Sequence, residues 1–347
     1  MLTLSKVKLE LTTILKWAGV IFGILLVLFL LIKIVFFIKN IIAPTPLAPP
    51  NAAFGKIPAP YFPSGIKRDF SYKLDTVSGQ LPTFSDREKV YKMVITVPQL
   101  LNFKNASSKI TSLGFDPTPE KLSDSVYRWK ENGTFTKALV MDVNRLQFSL
   151  SSNFLEDPNI VTANNLPTQS DAVSQAKDFL SALGAYPQDI DESKTQTLLF
   201  KVNQAVISPS KNSATADLIS VYFYQKNING LPIVYPGGKI SSMNVTIAGG
   251  PDNGQVVDAR FFYQKVAGEN TEYAIRTAKL AYEQLKQGKA YIGSVDTGAT
   301  NITIKKVYLA YYSPGRTQNF LLPVIVFEGS NNFVAYISAV KDEWLSN

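Results

Sequence analysis

Two Ser-x-x-Lys spacings, Ser174–Lys177 and Ser208–Lys211, come nearest to nucleophilic chemistry in this chain. An acylating Ser–Lys site also needs Ser-Asp-Asn and Lys-Thr-Gly elements to orient base and substrate. Ser123-Asp124-Ser125 only approximates the first, and the second is missing. Lys177 falls on the polar face of an amphipathic stretch and Lys211 in a Ser/Asn-rich one, so both read as solvated lysines. Paired carboxylates are the other option, since two of them suffice for glycoside hydrolysis. The densest acidic spots are Glu156-Asp157 and Asp189-Asp191-Glu192, beside proline or polar residues where acids are ordinarily solvated. The second could attract calcium, but its spacing matches no EF-hand loop. No glycine-rich phosphate loop follows a strand.

Composition narrows the chemistry further. The 347 residues include no histidine and no cysteine. Ser-His-Asp and Cys-His mechanisms, thiolate metal sites and disulfides are therefore excluded. Zinc loses its usual ligands. The reading is a non-enzymatic protein with no catalytic residue, no cofactor and no metal site. Absence of cysteine also fits an exported bacterial or archaeal protein. Sixteen Tyr and 21 Phe remain, and many crowd adjacent strands: Tyr222, Phe223, Tyr224, Phe261, Phe262, Tyr263, Tyr308, Tyr311 and Tyr312. Side chains alternate across a strand, so some of these face away from one covered side. Tyr222, Tyr224, Phe262, Tyr308 and Tyr312 are the candidate partner surface. The alternative is cross-strand aromatic packing that stabilises the sheet.

The elements that carry these residues begin with an anchor. Trp17 to Ile38 is apolar apart from Lys33. At 1.5 Å per residue it spans about 33 Å, enough to cross a hydrocarbon layer of about 30 Å. Lys33 lies near the far end and can snorkel. A cleaved signal peptide would have a shorter apolar core and a small-x-small site, and a buried core helix would show a polar face. Half of the formal net charge of +8 comes from residues 1–43, where cations meet anionic headgroups. The rest is dispersed without a basic stripe, which excludes nucleic acid as a partner. Seven prolines between Pro44 and Pro63 favour an extended, semi-rigid stalk. The expected segments are a short cytoplasmic tail over 1–16, a transmembrane helix over 17–38 and a linker over 39–63. The N-terminus is expected inside and the C-terminal domain outside the cell membrane. Gly19 and Gly23 form a Gly-x-x-x-Gly pair that permits helix pairing.

Beyond the linker, three helical stretches punctuate a strand-rich region. They are Pro98–Leu113, Ser170–Leu183 and Thr271–Gln287. Ala172, Ala176, Phe179, Leu180 and Leu183 share one face of the second. Ala274, Ala278, Ala281 and Leu285 share one face of the third, which Gly288 closes. The first two end alike, in Leu113-Gly114-Phe115-Asp116-Pro117 and Leu183-Gly184-Ala185-Tyr186-Pro187, 70 residues apart. Paired strands follow each helix. Leu139, Met141 and Val143 switch parity to Leu146, Phe148 and Leu150 across Asn144-Arg145. Gly249 to Gly254 and Gly329 to Asn332 are further hairpin signals. The expectation is an α+β fold of about three diverged helix-plus-antiparallel-sheet units, over 64–165, 166–266 and 267–347. Chance likeness of short motifs is the alternative. Sequons at Asn105, Asn132, Asn244 and Asn301 matter only in a host that glycosylates them.

Val221-Tyr222-Phe223-Tyr224-Gln225 followed by Ile228-Asn229-Gly230-Leu231-Pro232-Ile233 resembles the signature of YycH/YycI-type membrane regulators, and also PepSY-like and protease-propeptide domains. The order of helix, Val307–Tyr311, Leu322-Pro323-Val324-Ile325-Val326 and a closing strand is similar to those families, over residues 170–340. A tryptophan often met after the Leu-Pro pair is replaced here by aliphatic residues. The resemblance implies a non-enzymatic single-pass protein that meets a sensor kinase or other envelope partner through its membrane helix and outer domain. The expected partners are thus the lipid bilayer and an envelope protein, whether a sensor kinase, a protease or a second copy. A structural component or adhesin of an envelope assembly is the alternative function. An envelope hydrolase using carboxylates or a Ser–Lys pair is the third.

Overall fold

Two compact units, Met1–Pro49 and Pro50–Asn347, divide the chain in the computed structural model. It describes residues 4–42, 49–131, 136–157, 165–250 and 254–346. The first unit is a single helix, α1 (Leu4–Ile42). Its Lys16–Val35 stretch has a mean hydropathy of 2.9, and none of it is buried. Long and apolar all round, it is a candidate membrane span. Residues 43–48 of the expected stalk lie outside the described residues.

The second unit contains two large sheets. The strands of the first are β4 (Glu120–Lys121), β5 (Val126–Glu131), β6 (Lys137–Asp142), β7 (Gln147–Ser152), β8 (Gln196–Asn203), β9 (Val206–Ser210), β10 (Leu218–Tyr222), β12 (Met243–Ala248) and β13 (Gln255–Phe261). They run in the order β4-β5-β6-β7-β13-β12-β10-β8-β9. Helices α2 (Leu100–Ser112) and α3 (Gln169–Ala182) lie on one face of this sheet. Ala106 and Ile110 from α2 join Ala172, Ala176 and Leu180 from α3. They bury against Leu139, Met141, Phe148, Leu150, Ile219, Val221, Val245, Ile247 and Phe261. The opposite face has its own small core of Phe154, Val202, Leu218, Ala248 and Val257. Thr168 caps α3 by accepting from the Asp171 N–H. Gly114 (φ +94°) and Gly184 (φ +71°) take the left-handed conformation that ends each helix.

The second sheet is built around β16 (Asn301–Tyr312), β17 (Phe320–Gly329) and β18 (Val334–Ser338), with β15 (Tyr291–Ser294) at one edge. Two short strands, β2 (Ser71–Leu74) and β11 (Ile233–Val234), pair in parallel with β16. Strand β3 (Arg87–Met93) pairs with both β17 and β14 (Val266–Ala274). A further pair, β1 (Ile57–Pro58) and β19 (Leu345–Ser346), ties the two ends of this unit together. Helix α4 (Ala278–Lys286) covers one face through Ala278, Ala281 and Leu285.

The α+β class is as expected, but two details differ. The third helix begins at Ala278, not Thr271. Thr271–Ala274 instead pairs with Arg87–Val90, and Thr277 supplies the cap by accepting from the Leu280 N–H. Ladder hydrogen bonds outweigh the helical spacing of Ala274. Nor do 165/166 and 266/267 part the head. Leu150 pairs with Ala259 in one sheet, and Tyr91 pairs with Asn270 in the other. Leu180 is fully buried between α3 and its sheet. Leu180→Ala should therefore cost about 2–5 kcal/mol, read as a lowered midpoint in thermal unfolding.

Candidate binding surface

Two of the five residues expected on a partner surface are buried. Tyr222 is 8% exposed and Tyr312 only 1%. Strand alternation does point neighbouring rings to opposite faces. Here Tyr222 and Tyr312 are both covered. Tyr312 packs edge-on to Phe62 at 4.9 Å and against Tyr336 at 5.5 Å. Tyr224, Phe262 and Tyr308 are half-buried. The Tyr224 hydroxyl donates to the Lys239 carbonyl at 2.9 Å, and the Tyr308 hydroxyl to Glu328 Oε1 at 2.6 Å. Burial pushes the Tyr224 phenol up to about 12 and raises those of Tyr308 and Tyr312 further. All three hydroxyls therefore stay protonated near neutrality. Cross-strand packing accounts for most of this cluster.

Several of the residues considered for chemistry have other partners. Lys177 Nζ pairs with Glu192 Oε1 at 2.9 Å. Ser208 lies in β9, where its hydroxyl donates to the Lys201 carbonyl at 3.4 Å. Ser123 Oγ accepts from the Val126 N–H inside a turn. Asp191 accepts from the Ser193 hydroxyl at 2.6 Å and pairs with Lys194 at 3.2 Å. The Ser193 hydrogen bond first, and Lys194 after it, hold the Asp191 carboxyl below the usual range. Lys177 does the same for Glu192. Asp189 accepts from Gln225 Nε2 at 3.1 Å, and Glu156 from Asn153 Nδ2 at 3.4 Å. Among the described residues, no group of three or more Asp or Glu could hold a metal. The sequons at Asn105, Asn244 and Asn301 lie within the described residues, and Asn132 lies outside them.

On the head, several exposed apolar side chains fall close together in sequence. Between β3 and α2, Val94 is 38% exposed and Ile95 and Val97 69% each, and Leu101 in the first turn of α2 is 63% exposed. The Val-Ile-Thr-Val run before Pro98 was the available signal, because it continues a strand pattern past the last paired residue, Met93. The N-terminus of α2 beside it has no side-chain cap and no acidic residue in its first turn. Apolar side chains grouped on a loop mark a contact surface more often than isolated ones do. Gly19 and Gly23 in α1 have nothing of their own chain within 4 Å of a would-be Cβ.

No protein-family model matches the chain, and no curated protein matches it. Among solved structures, it is similar to an uncharacterized protein from Eubacterium rectale at 10% identity. That match covers 78% of this chain and 89% of the other, with a TM-score of 0.38. It is also similar to the C-terminal domain of Bacillus megaterium YpeB at 13% identity. There 72% of this chain and 95% of the other are covered, with a TM-score of 0.30. At these scores the likeness carries no argument. The elements themselves define the class: an α+β head in a chain with one N-terminal apolar helix long enough to cross a membrane.

Stability should depend on pH in a way that follows from these groups. Burial raises the phenols of Tyr72, Tyr186 and Tyr224 to about 12. The unfolded chain loses those protons near 10, so the folded form binds more protons above that pH. Stability should fall as pH climbs from about 10 to about 12. The depressed carboxyls of Asp191 and Glu192 contribute above about 4 and lose that contribution as pH falls. With no imidazole present, melting temperatures should stay level from about pH 6 to about pH 9. A midpoint transition near pH 6.5 would contradict this assignment.

Proposed function

We propose that this protein is a membrane-anchored, extracytoplasmic module of the cell envelope that acts by non-catalytic contact with another protein. One observation carries the reading. A single chain joins the 20-residue apolar span Lys16–Val35, uncovered by its own residues, to a folded unit from Pro50 onward. A helix that is apolar all round needs lipid or another helix against it. A chain without imidazole or thiol has few routes to acid–base or nucleophilic catalysis, which favours contact over turnover.

The contact surface on the head is the apolar stretch of Val94, Ile95, Val97 and Leu101, in place of the buried Tyr222 and Tyr312. The partner is an envelope protein, with a sensor kinase, a protease or a second copy as the classes in view. The YycH/YycI-type resemblance of residues 221–233 supports regulation over assembly. Gly19 and Gly23 let a second helix approach α1 closely, so contact is made at two places on the chain.

Two experiments test this reading. Full-length protein is purified from detergent-solubilised membranes, with Ile95→Asp/Val97→Asp beside the parent. The parent should bring down one stoichiometric partner, and the variant should lose it with an unchanged melting temperature. Equal recovery by both would contradict the surface. Separately, Gly19→Leu/Gly23→Leu should weaken lateral association of the helix by at least about fivefold in a membrane two-hybrid or energy-transfer assay, roughly 1 kcal/mol. An unaltered signal would remove the glycine pair from the account.

A further inference from the structure

Residues 62–72 and 285–292 enclose a groove of about 840 Å³ on the second unit. Its wall is held by core contacts. Phe62 stacks on Tyr291 at 5.3 Å, and Phe70 meets Phe333 edge-on at 5.8 Å. Opposite lies the end of α4. Gly288 (φ +72°) turns the chain there, and the Gly288 and Lys289 N–H groups donate to the carbonyls of Leu285 and Gln284. Those bonds satisfy two carbonyls at the negative end of α4.

The lining has an uneven charge. Lys67, Arg68, Lys286 and Lys289 face it, against the single carboxylate of Asp69. Two of the cations are partly engaged. Arg68 Nη1 donates to the Asp296 and Ala299 carbonyls at 3.4 Å. Lys286 Nζ pairs with Glu283 at 2.8 Å. Lys67 and Lys289 have no side-chain partner among the described residues. The two lie more than two hundred positions apart in sequence, and the fold brings them to one groove. Tyr72 adds a half-buried phenol, held protonated by its burial and so available as a donor.

We propose that this groove binds a phosphate-bearing ligand whose remaining part rests on the aromatic wall. A phosphate, monoester or diester, offers more acceptor oxygens to several cations than a monocarboxylate does. The volume admits a phosphate with a sugar-sized or glycerol-sized group attached. A lipid headgroup and a soluble phosphoester share this chemistry. The proposal is separate from the apolar contact surface, because its residues and the Val94–Leu101 loop do not overlap.

The test uses the full chain in detergent micelles and calorimetric titration with sodium tripolyphosphate. Binding should be saturable, with one site, and should weaken as salt rises from about 50 mM to about 300 mM. Lys67→Ala/Lys289→Ala should weaken it about tenfold. Lys104→Ala/Lys211→Ala, at exposed lysines elsewhere, should leave it unchanged. All four lysines are exposed, and circular dichroism should show both double variants folded. Absence of saturable binding, or equal weakening in both variants, overturns the proposal. Competition then separates the sources. Displacement by dihexanoylphosphatidylglycerol assigns the phosphate to a lipid headgroup, displacement by glucose 1-phosphate alone assigns it to a soluble phosphoester, and displacement by neither overturns the site.

Discussion

Strand β3 joins residues 87–93 to two strands far along the chain, and the unity of the head depends on that join. Tyr91 lies opposite Asn270 on one side and Leu321 on the other. Without it, the early residues of the head would have no strand in the second sheet beyond the short β2. Such long-range pairing costs loop-closure entropy before any contact repays it. The repayment comes from burial: Tyr91, Met93, Tyr311 and Leu321 enter the same core as α2, α3 and the first sheet. That core therefore reaches both sheets, beside separate clusters under α4 and around Tyr312 and Tyr336.

Burial on both faces of the central strands follows from this arrangement and shapes the functional surface. In β17, every residue from Leu321 to Phe327 is buried. Ile325 and Phe327 face α4, while Val324 and Val326 face the layer of Tyr312 and Tyr336. Aromatic residues on such strands become structural whichever way they point. What remains for contact is located on connections: the apolar loop after β3 and the basic groove where residues 62–72 meet the end of α4. Connections carry function when a rigid scaffold holds them, and both of these leave well-paired elements.

Much of the local structure was legible. Gly114 and Gly184 mark helix ends because the left-handed conformation there is cheap only without a side chain. The parity switch across Asn144-Arg145 gives the hairpin of β6 and β7. Asn331 and Asn332 both adopt positive φ, as a tight turn between β17 and β18 requires. Long-range information was not legible. Ala274 fits a helical face by spacing, and only its pairing with Arg87 shows it to be a strand residue. Ile57 opposite Leu345 and Ser71 opposite Asn301 are parallel pairs whose partners are hundreds of residues away. For the same reason, Tyr222 looks exposed on one sheet face until a second layer is known to cover it. Lys67 and Lys289 look like ordinary surface lysines until the fold brings them to one groove.

If the head is tethered, Lys16–Val35 stays in a bilayer and holds the folded unit that begins at Pro50. Extraction of membranes from producing cells with alkaline carbonate tests it most directly. The full-length chain should stay in the membrane pellet, released only by detergent. Recovery of a soluble polypeptide shortened near residue 43 would contradict it.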